Sequence, residues 1–477
     1  MYKQSLPLLL AGASSALAAL QVDFDSASSI RAAAKDVAFD VMSYYKGNRT
    51  GEILGLLDSP PPNGDYFWWT NAIVWSTLID YWRYTGDTTY NDVTAEALLA
   101  QSGPDLDHAF LPPNYTVSIG NDDHGFWALA AMQAAELDLP SPSEDEPSWI
   151  NLAKAVFEMQ AARYSIEEDG ECEGGLRWML APVSSGYDVK NTVSTAVFLN
   201  LGTRLYRFTD NETYADWAEK SWDWLTSVGL IDDEFNVYDS VNVNDDCETV
   251  SSLQWSYALG VLLEAAAYMS NHTGESNNHR HKQKVWSERV TSLASRAMAH
   301  FFPDGTLVER ACENTTSDCN GDIHWQKGIT LRSLATAATL VPELRTNGDD
   351  GDRSVAAALR TTVESAVATC DGGLRGRECG YRWAGEVVEG EEVKTTGPPS
   401  EVNALAALVV ALGAQNGWSE LAGSENGESG NGDSNGDSNG GSNGGEAVDD
   451  GEDEGNAGVS TRAGMGLMLV GLVAALL

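Results

Sequence analysis

Twelve segments with helical periodicity follow one another along the chain, and they constrain its fold more than any other feature. In each segment apolar residues recur every three or four positions, whereas the alternation typical of strands is rare. The segments lie near residues 28–45, 67–85, 88–102, 123–137, 147–164, 191–208, 212–228, 250–270, 281–301, 323–340, 353–369 and 400–414. No strict sequence repeat accompanies them, which disfavours a solenoid of stacked hairpins. The pattern predicts an all-α fold.

The even-numbered and odd-numbered segments differ in composition. Segments four, six, eight and twelve are rich in Ala, Ser, Gly and Leu, as in FWALAAMQAA and SYALGVLLEAAA. The odd-numbered segments carry more charge, as in YADWAEKSWDWL. A helix that is apolar on all sides is expected to be buried, whereas a helix with a charged face lies at the surface. We therefore expect an inner ring of helices wrapped by an outer ring, an (α/α)6 barrel of six helical hairpins spanning residues 20–418.

The two ends of the chain differ from this helical part. Residues 1–19 have one early lysine, a short apolar core and small residues near the end, which predicts a secretory signal peptide. Residues 419–456 are acidic and rich in Gly, Ser and Asn, which predicts a disordered stalk. Residues 457–477 end in an apolar tail, which predicts a GPI-attachment propeptide with Asn456 as the attachment residue and Gly455 nearly as suitable. A single-pass tail anchor is the alternative for this segment.

The overall charge and the aromatic content limit the possible partners. The formal net charge is −41, and a nucleic-acid-binding protein would need Lys and Arg to neutralise phosphates, so we expect no nucleic-acid partner. The chain has 15 Trp and 16 Tyr, whose flat faces commonly stack on sugar rings, although we expect most of them in the core. A neutral or cationic partner is compatible with this composition.

The cysteines and sequons are those of a secreted glycoprotein. Six cysteines in a secreted chain indicate disulfides, for which we expect the pairs Cys172–Cys247, Cys312–Cys319 and Cys370–Cys379. No C-x-x-C or His-rich companion is present, so we expect neither a metal site nor another cofactor. N-glycosylation sequons occur at Asn48, Asn114, Asn211, Asn271 and Asn314.

Polar and aromatic residues gather where the even-numbered helices begin. If the inner helices are parallel, these starts converge on one rim, and a cleft with such a lining is typical of a carbohydrate site. The candidate binding residues are Trp68, Trp69, Asn121, His124, Tyr187, Lys190, Asn191, Gln254, Trp255, Tyr257 and Lys327. Trp68, Trp69 and Trp255 are candidate stacking platforms or core residues. Lys190 or Lys327 could hold a carboxylate in its ionised form, and the alternative for each is a surface ion pair.

Two adjacent carboxylates, Asp122 and Asp123, precede the apolar part of the fourth helix. They are either a catalytic pair or a helix cap, because acidic side chains in a first turn bond free backbone N–H groups and suit the helix dipole. Because they lie at the expected rim, the catalytic interpretation and the capping interpretation both remain open at this point. We refer to the two residues as the aspartate pair.

Several motifs in the same order resemble glycoside hydrolase family 76, in particular its fungal GPI-anchored branch of mannan endo-1,6-α-mannosidase-like cell-wall proteins. They are FWWTNAIVWSTLIDYWRYTGD, GNDDHGFWALAAMQAAE, CEGGLRWML, GYDVKNTVSTAVFLNLGTRLYRFTDNETYADWAEKSWDW, QWSYALG and QKGITLR. The resemblance runs from about residue 20 to about residue 413 and so covers the whole globular part.

The resemblance implies an (α/α)6 barrel and retaining attack on α-1,6-mannosidic linkages, with Asp122 as nucleophile and Asp123 as general acid/base. We expect a raised pKa for Asp123 from burial near Trp127 or another aromatic and from the charge of Asp122. It further implies that the protein, at the plasma membrane or in the cell wall, cuts mannan or the mannose core of a GPI anchor; separately, we expect a monomer. The attached protein would be passed to a β-glucan acceptor.

The chain departs from the family pattern at four places, namely Thr70–Asn71, His124, Met179 and Ala258. We expect these positions to line the cleft and to alter the substrate more than the mechanism, whereas Arg177 and Trp178 are expected to shape a loop. A wall-anchored, mannan-binding scaffold without turnover is the alternative function. An enzyme that acts on other alditol or uronate polymers with the same barrel is a further one.

Overall fold

The computed structural model describes residues 19–418, except 62, 104–108, 112–117, 144, 169, 273–276, 314–318, 320, 347–353 and 385–395. The predicted signal peptide up to residue 18, the stalk, the apolar tail and Asn456 therefore lie outside the described residues. Two sequon residues, Asn114 and Asn314, also lie outside them, whereas Asn48, Asn211 and Asn271 are exposed. Among the described residues, no helix combines the length and hydropathy needed to cross a membrane.

Twelve α-helices account for most of the described chain and confirm the all-α prediction. They are α1 (Ala27–Ser43), α2 (Trp68–Thr85), α3 (Asn91–Gln101), α4 (Asn121–Glu136), α5 (Trp149–Glu168), α6 (Thr192–Thr209), α7 (Glu212–Ser227), α8 (Ser256–Asn271), α9 (Asn277–Phe301), α10 (Gln326–Leu340), α11 (Val355–Ala368) and α12 (Pro398–Gln415). The largest boundary error concerns α8, which begins at Ser256 although the periodicity predicted a start near residue 250.

The even-numbered helices close into a ring. Each of α2, α4, α6, α8, α10 and α12 packs against the next, and α12 returns to pack against α2. The odd-numbered helices lie outside this ring: α1 packs on α12, α3 on α2, α5 on α4, α7 on α6 and α9 on α8, while α11 contacts both α10 and α12. The structure thus has the predicted (α/α)6 architecture, in which the starts of the six inner helices meet at one end.

Small residues let the inner helices approach one another. A Cβ atom added to Gly125 of α4 would lie 2.5 Å from Cγ2 of Val197 in α6. At Gly328 of α10 the backbone N–H donates to Oδ1 of Asn403 in α12, at 2.8 Å. The Gly and Ala content that marked the even-numbered segments in the sequence is therefore a packing requirement of the ring.

Two three-residue strands, which the sequence did not predict, connect loops at the open end. Strand β1 (Val189–Asn191) pairs antiparallel with β2 (Ser240–Asn242), and Lys190 is opposite Val241. Strands this short are too brief to show an alternating pattern. They join the loop before α6 to the loop before α8, and the Cys172–Cys247 disulfide links the same two loops.

All three disulfides expected from the sequence are formed. Cys312–Cys319 and Cys370–Cys379 close short loops with sequence separations of 7 and 9, whereas Cys172–Cys247 spans 75 residues. A cross-link stabilises chiefly by restricting the unfolded chain, so the bond that closes the longest loop is expected to contribute most.

We predict that Gly125→Ala destabilises the protein by about 1–3 kcal/mol, because the added methyl would overpack the contact with Val197. This sign is the reverse of the usual effect, since Ala at an unhindered helical position is more stable than Gly. Thermal unfolding followed by circular dichroism provides the measurement. Gly321→Ala is the control, because no atom lies within 4 Å of a Cβ added there. An unchanged or raised melting temperature for Gly125→Ala would contradict the packing argument.

Candidate active site

The aspartate pair occupies the first turn of α4, at the open end of the inner ring. Gly120 is the N-cap residue, and its backbone N–H donates to Oδ2 of Asp123 at 2.7 Å. The backbone N–H of Asp123 in turn donates to Oδ1 of Asp122 at 3.0 Å. The capping interpretation is therefore correct in its geometry. It does not exclude a chemical role, because each carboxylate still has lone pairs for a further partner.

The second oxygen of Asp122 bonds a residue that is distant in sequence. Nδ2 of Asn191 donates to Oδ2 of Asp122 at 3.1 Å. Asn191 ends β1 and is also the N-cap of α6, where its own Oδ1 accepts from the backbone N–H of Ser194. The short β1–β2 ribbon thus brings an amide donor to the aspartate pair.

The start of α4 is held by Asn121, which bonds three neighbouring segments. Its backbone N–H donates to the carbonyl of Trp178 at 2.7 Å, and its Nδ2 donates to the carbonyl of Arg177 at 2.8 Å. Its Oδ1 accepts from Arg163 at 2.9 Å, and its carbonyl accepts from Gln160 at 2.7 Å. With its amide occupied by protein groups, Asn121 fixes the helix start and does not contact a ligand.

Burial and electrostatic repulsion raise the pKa values of the aspartate pair. Burial is the main cause that raises the pKa of both carboxyls above the ordinary value, and the charge of Asp322 adds to it. The charge of Asp122 raises the pKa of Asp123 further, whereas the bond from Asn191 favours ionised Asp122. Asp123 therefore holds its proton more strongly than Asp122, so the two side chains can serve as one acid and one carboxylate.

Aromatic rings and two more carboxylates surround the aspartate pair. Phe126, one turn into α4, has Trp69 at a ring-centroid distance of 5.3 Å and Tyr257 at 6.4 Å. The indole N–H of Trp69 donates to Asp322 at 3.1 Å. Besides burial, the charges of Asp122 and Asp322 raise the pKa of Tyr257, so its hydroxyl lies within reach of their fields. These side chains place carboxylates and aromatic rings side by side around the aspartate pair, and we call this region the cleft.

A further carboxylate near Tyr257 belongs to Asp239, which directly precedes β2. Ser240 donates to its carboxylate at 2.9 Å, and the Trp255 side chain forms a second hydrogen bond with it. Burial raises the pKa of Asp239, and the charge of Asp239 contributes to the raised pKa of Tyr257. Trp255 and Tyr257 are half-buried and so keep part of their surface for a ligand.

Comparison with known proteins identifies the family of the chain. Residues 29–420 match the sequence profile of glycosyl hydrolase family 76. The chain belongs to this family. It is 38% identical over 367 residues to the mannan endo-1,6-alpha-mannosidase DCW1 of Saccharomyces cerevisiae, which covers 76% of each protein. The family resemblance in the sequence and the glycoside hydrolase assignment are thereby confirmed.

Solved structures with the same fold agree with this family assignment. Dfg5 from Chaetomium thermophilum, solved in complex with glucosamine, is 40% identical, with a TM-score of 0.74 over 82% of this chain and 92% of that one. An inactive α-1,6-mannanase variant of Salegentibacter sp., with two consecutive aspartates replaced and α-1,6-mannotriose bound, has a TM-score of 0.59. That enzyme is 17% identical, covers 82% of this chain and 99% of its own, and shows the fold alone.

Five of the candidate binding residues are not accessible in this family 76 cleft. Trp68, Asn121, His124, Lys190 and Lys327 are each at most 3% exposed. Trp68 donates its indole N–H to Gln101, and Trp127 stacks on it. The ring of His124 bonds the carbonyl of Ala109 and contacts Arg163. The prediction that these side chains contact a sugar is wrong, because each is enclosed by protein partners.

The two lysines form buried ion pairs away from the aspartate pair. Nζ of Lys190 lies 3.1 Å from Glu167, and Nζ of Lys327 lies 2.7 Å from Glu313. Lys327 also lies over the Tyr381 ring, 4.4 Å from its centroid. Both lysines are therefore paired with glutamates of the core, whereas the side-chain donor to Asp122 is Asn191. Each lysine needs a charged partner because an unpaired ammonium group is costly to bury.

The departures from the family pattern are mostly core positions. Thr70, Asn71, His124 and Ala258 are buried, whereas Met179 is half-buried and forms a backbone bridge with Gly120. The expectation that these positions line the cleft is wrong for Thr70, Asn71, His124 and Ala258, and it stays a prediction for Met179. The amide of Asn71, for example, is used inside the fold, where its Oδ1 accepts from Leu57.

Other candidate residues occupy the cleft wall or support it. Tyr187 is half-buried beneath the guanidinium of Arg177, whose Cζ lies 4.6 Å from the ring centroid. Arg177 also bonds Glu167 at 2.8 Å and so shapes its loop as expected. Gln254 is half-buried on the segment that precedes α8.

The sequence interpretation missed three residues at the cleft, Trp178, Asp239 and Asp322. Trp178 was expected only to shape its loop, yet 39% of its surface is exposed beside the aspartate pair. A Cβ atom at Gly120 would lie 2.2 Å from Oδ1 of Asp122 and 3.2 Å from Cδ1 of Trp178, which shows how close the two side chains are. Gly186 supports the other side of the indole, since a Cβ there would lie 2.5 Å from the ring.

No group of three or more His, Cys, Asp or Glu side chains in the described part of the chain could hold a metal ion. The cleft offers carboxylates, with the Asn191 amide and the indole N–H groups as hydrogen-bond donors.

We predict that Asp123→Asn stabilises the protein, and that the gain increases as the pH rises from about 4 to about 7. The pKa of Asp123 is raised in the folded state above 3.8, so the stability linked to its protonation is complete below that value and is lost as the pH rises through the raised pKa. Asn removes the charge and can still accept from Gly120. Melting temperatures of parent and variant at both pH values provide the check, and an equal difference at both would contradict it.

Proposed function

We propose that the protein is a retaining, endo-acting α-1,6-mannosidase or transglycosidase that acts on mannan or on the mannose core of GPI anchors. The observation that carries this proposal is the aspartate pair, two adjacent carboxylates of unequal proton affinity in the first turn of α4. The names of the relatives, mannan endo-1,6-alpha-mannosidase among them, support the same substrate.

The aspartate pair supplies the two groups that retention requires. Ionised Asp122 would attack the anomeric carbon of the mannose, form a glycosyl ester and displace the leaving oxygen, which takes its proton from Asp123. Asp123, now ionised, would then remove a proton from the acceptor as that oxygen attacks the same anomeric carbon, which breaks the bond to Asp122 and releases its carboxylate. Two inversions at one carbon retain the anomeric configuration.

The protein contacts favour this assignment of roles over the reverse one. Asp122 accepts from Asn191 and from the backbone N–H of Asp123, two donors that stabilise its charged form. Asp123 accepts from the Gly120 N–H, but burial and the neighbouring charge of Asp122 keep its proton bound. A carboxyl protonated near neutral pH is suited to general acid catalysis.

Transfer rather than hydrolysis results if a sugar hydroxyl reaches the glycosyl ester before water does. In the proposed role a GPI-core mannose is the donor and a β-glucan hydroxyl the acceptor, so that a GPI-protein becomes attached to the wall. This role requires a secreted protein held by its own lipid anchor at the outer face of the plasma membrane or in the wall. The Chaetomium thermophilum relative was solved in complex with glucosamine, an amino sugar, which supports a carbohydrate ligand for this cleft.

The alternative function is a mannan-binding scaffold that has lost turnover. Its support was the set of departures from the family pattern, but the structure buries four of the five residues concerned. Those four cannot have removed a cleft contact, whereas the aspartate pair is intact. The enzyme is therefore the interpretation favoured by the site.

We predict that Asp122→Asn and Asp123→Asn each reduce α-1,6-mannobioside or mannotriose turnover by about 100- to 10,000-fold, because each removes one of the two reacting groups. Products are separated chromatographically, and proton NMR reports the anomeric configuration. Asp92→Gln is the control, since Asp92 is also an acidic residue in a first turn but is exposed on the outer helix α3, and Gln, unlike Asn, creates no glycosylation sequon with Val93 and Thr94. Mannoside binding by the parent without any product would support the scaffold instead.

We also predict that Trp178→Ala raises KM for α-1,6-mannotriose by about tenfold, roughly 1.4 kcal/mol, with a smaller effect on kcat. The exposed indole is proposed to stack on a sugar ring next to the aspartate pair. Trp178→Phe should recover part of the affinity, because an aromatic face remains. An unchanged KM for both variants would show that Trp178 only supports the loop.

A further inference from the structure

Asp322 is a carboxylate at the mouth of the barrel that no part of the mechanism above uses. It directly precedes the single 3-10 turn Ile323–Trp325, which leads into α10, and it is exposed to solvent. Although it occupies the N-cap position of that turn, its side chain makes no capping bond. Helix capping therefore does not fix the position of the Asp322 side chain.

The indole of Trp69 orients the Asp322 carboxylate instead. Nε1–H of Trp69 donates to Oδ1 of Asp322 at 3.1 Å, across 253 residues of sequence. Trp69 is itself buried in the first turn of α2 and packs against Phe126 of α4. An indole fixed by packing on two inner helices is a precise support for a side chain that lies in a turn.

Asp322 belongs to the same cleft as the aspartate pair. The stack of Trp69, Phe126 and Tyr257 connects the start of α2 with the starts of α4 and α8. The charge of Asp322 raises the pKa of Asp122, of Asp123 and of Tyr257. Asp322 keeps exposed surface, but the protein atoms packed around its carboxyl reduce its solvation, and this burial raises the pKa of Asp322 to about 6, with the Trp69 bond acting in the opposite direction.

The second oxygen of this carboxylate is available to a ligand. Within the described part of the chain, Trp69 is the one side chain that hydrogen-bonds Asp322, and no ion pair to Asp322 is formed. Ionised carboxylates bond hydroxyl donors more strongly than neutral acceptors do. A sugar offers such donors in adjacent pairs, and a partly exposed carboxylate beside a reacting centre is suited to hold them.

We propose that Asp322 is a third functional carboxylate of the cleft, which accepts hydrogen bonds from sugar hydroxyls beside the aspartate pair and is oriented for this by Trp69. This inference rests on the proposed function, since it assigns a binding group within the same site. It gives Asp322 two effects: it binds the substrate directly, and its negative charge favours the protonated form of the aspartate pair.

The test compares Asp322→Asn and Asp322→Glu with the parent, by α-1,6-mannotriose turnover across the pH range and by calorimetric binding in an Asp122→Asn background. Asn keeps an acceptor for Trp69 but loses the charge, so we expect kcat/KM to fall about 10- to 100-fold, mainly through KM. Both limbs of the pH–rate profile should move to lower pH, because the variant removes the negative charge of Asp322 that raises the pKa values of Asp122 and Asp123. Asp322→Glu should retain the parental profile with weakened binding.

Asp210→Asn is the matched control, because Asp210 is an exposed aspartate that follows α6 at the opposite end of the barrel. It should leave KM and the pH profile unchanged. If Asp322→Asn keeps the parental KM, binding constant and pH limbs, the inference on Asp322 is overturned while the proposed function stands. A loss of activity with a lowered melting temperature and unmoved pH limbs would also overturn it. If the parent neither binds nor converts the mannoside, the proposed function and the inference on Asp322 both fail.

Discussion

The hydrogen bonds around Asn121 are the interaction on which the rest of the site depends. One residue at the start of α4 bonds Gln160 and Arg163 of α5 and the carbonyls of Arg177 and Trp178, so the helix, its outer partner and the following loop share one fixed point. The aspartate pair follows directly in the same turn. Its geometry is therefore set by the packing of inner and outer helices rather than by a mobile loop, which is what a preorganised acid and carboxylate require.

The close carboxylates of the cleft lower the stability of the folded protein, but they are suited to acid–base chemistry. Asp122 and Asp123 are buried close together, and Asp322 adds a further negative charge, so ionisation of the aspartate pair is unfavourable in the folded protein. The positive charges that could relieve this repulsion are used elsewhere, since Lys190 and Lys327 are paired with Glu167 and Glu313 in the core. The protein thus retains a raised proton affinity at its rim, and the closed ring with its three disulfides supplies the stability that permits it.

Prediction from the sequence succeeded where the relevant signal is local. Twelve helices, the contrast between inner and outer ones and the position of the aspartate pair all depend on residues within a few turns of one another. Two of the disulfides join cysteines fewer than ten residues apart, with separations of 7 and 9. The start of α8 was predicted too early because the composition of residues 250–255 resembles that of a helical first turn. In the structure these residues belong to the loop that carries Trp255.

By itself, the sequence determined the helical period, the small residues that allow a closed ring and the acidic first turn of α4. Only the tertiary structure decided which polar side chains reach the cleft. Asn191 is placed on Asp122 by a two-stranded ribbon, and Trp69 bonds Asp322 across most of the chain. His124 and the two lysines, which looked equally suitable in sequence, are enclosed instead. The physical reason is that burial and long-range hydrogen bonds depend on how the ring closes, and no local pattern records that closure.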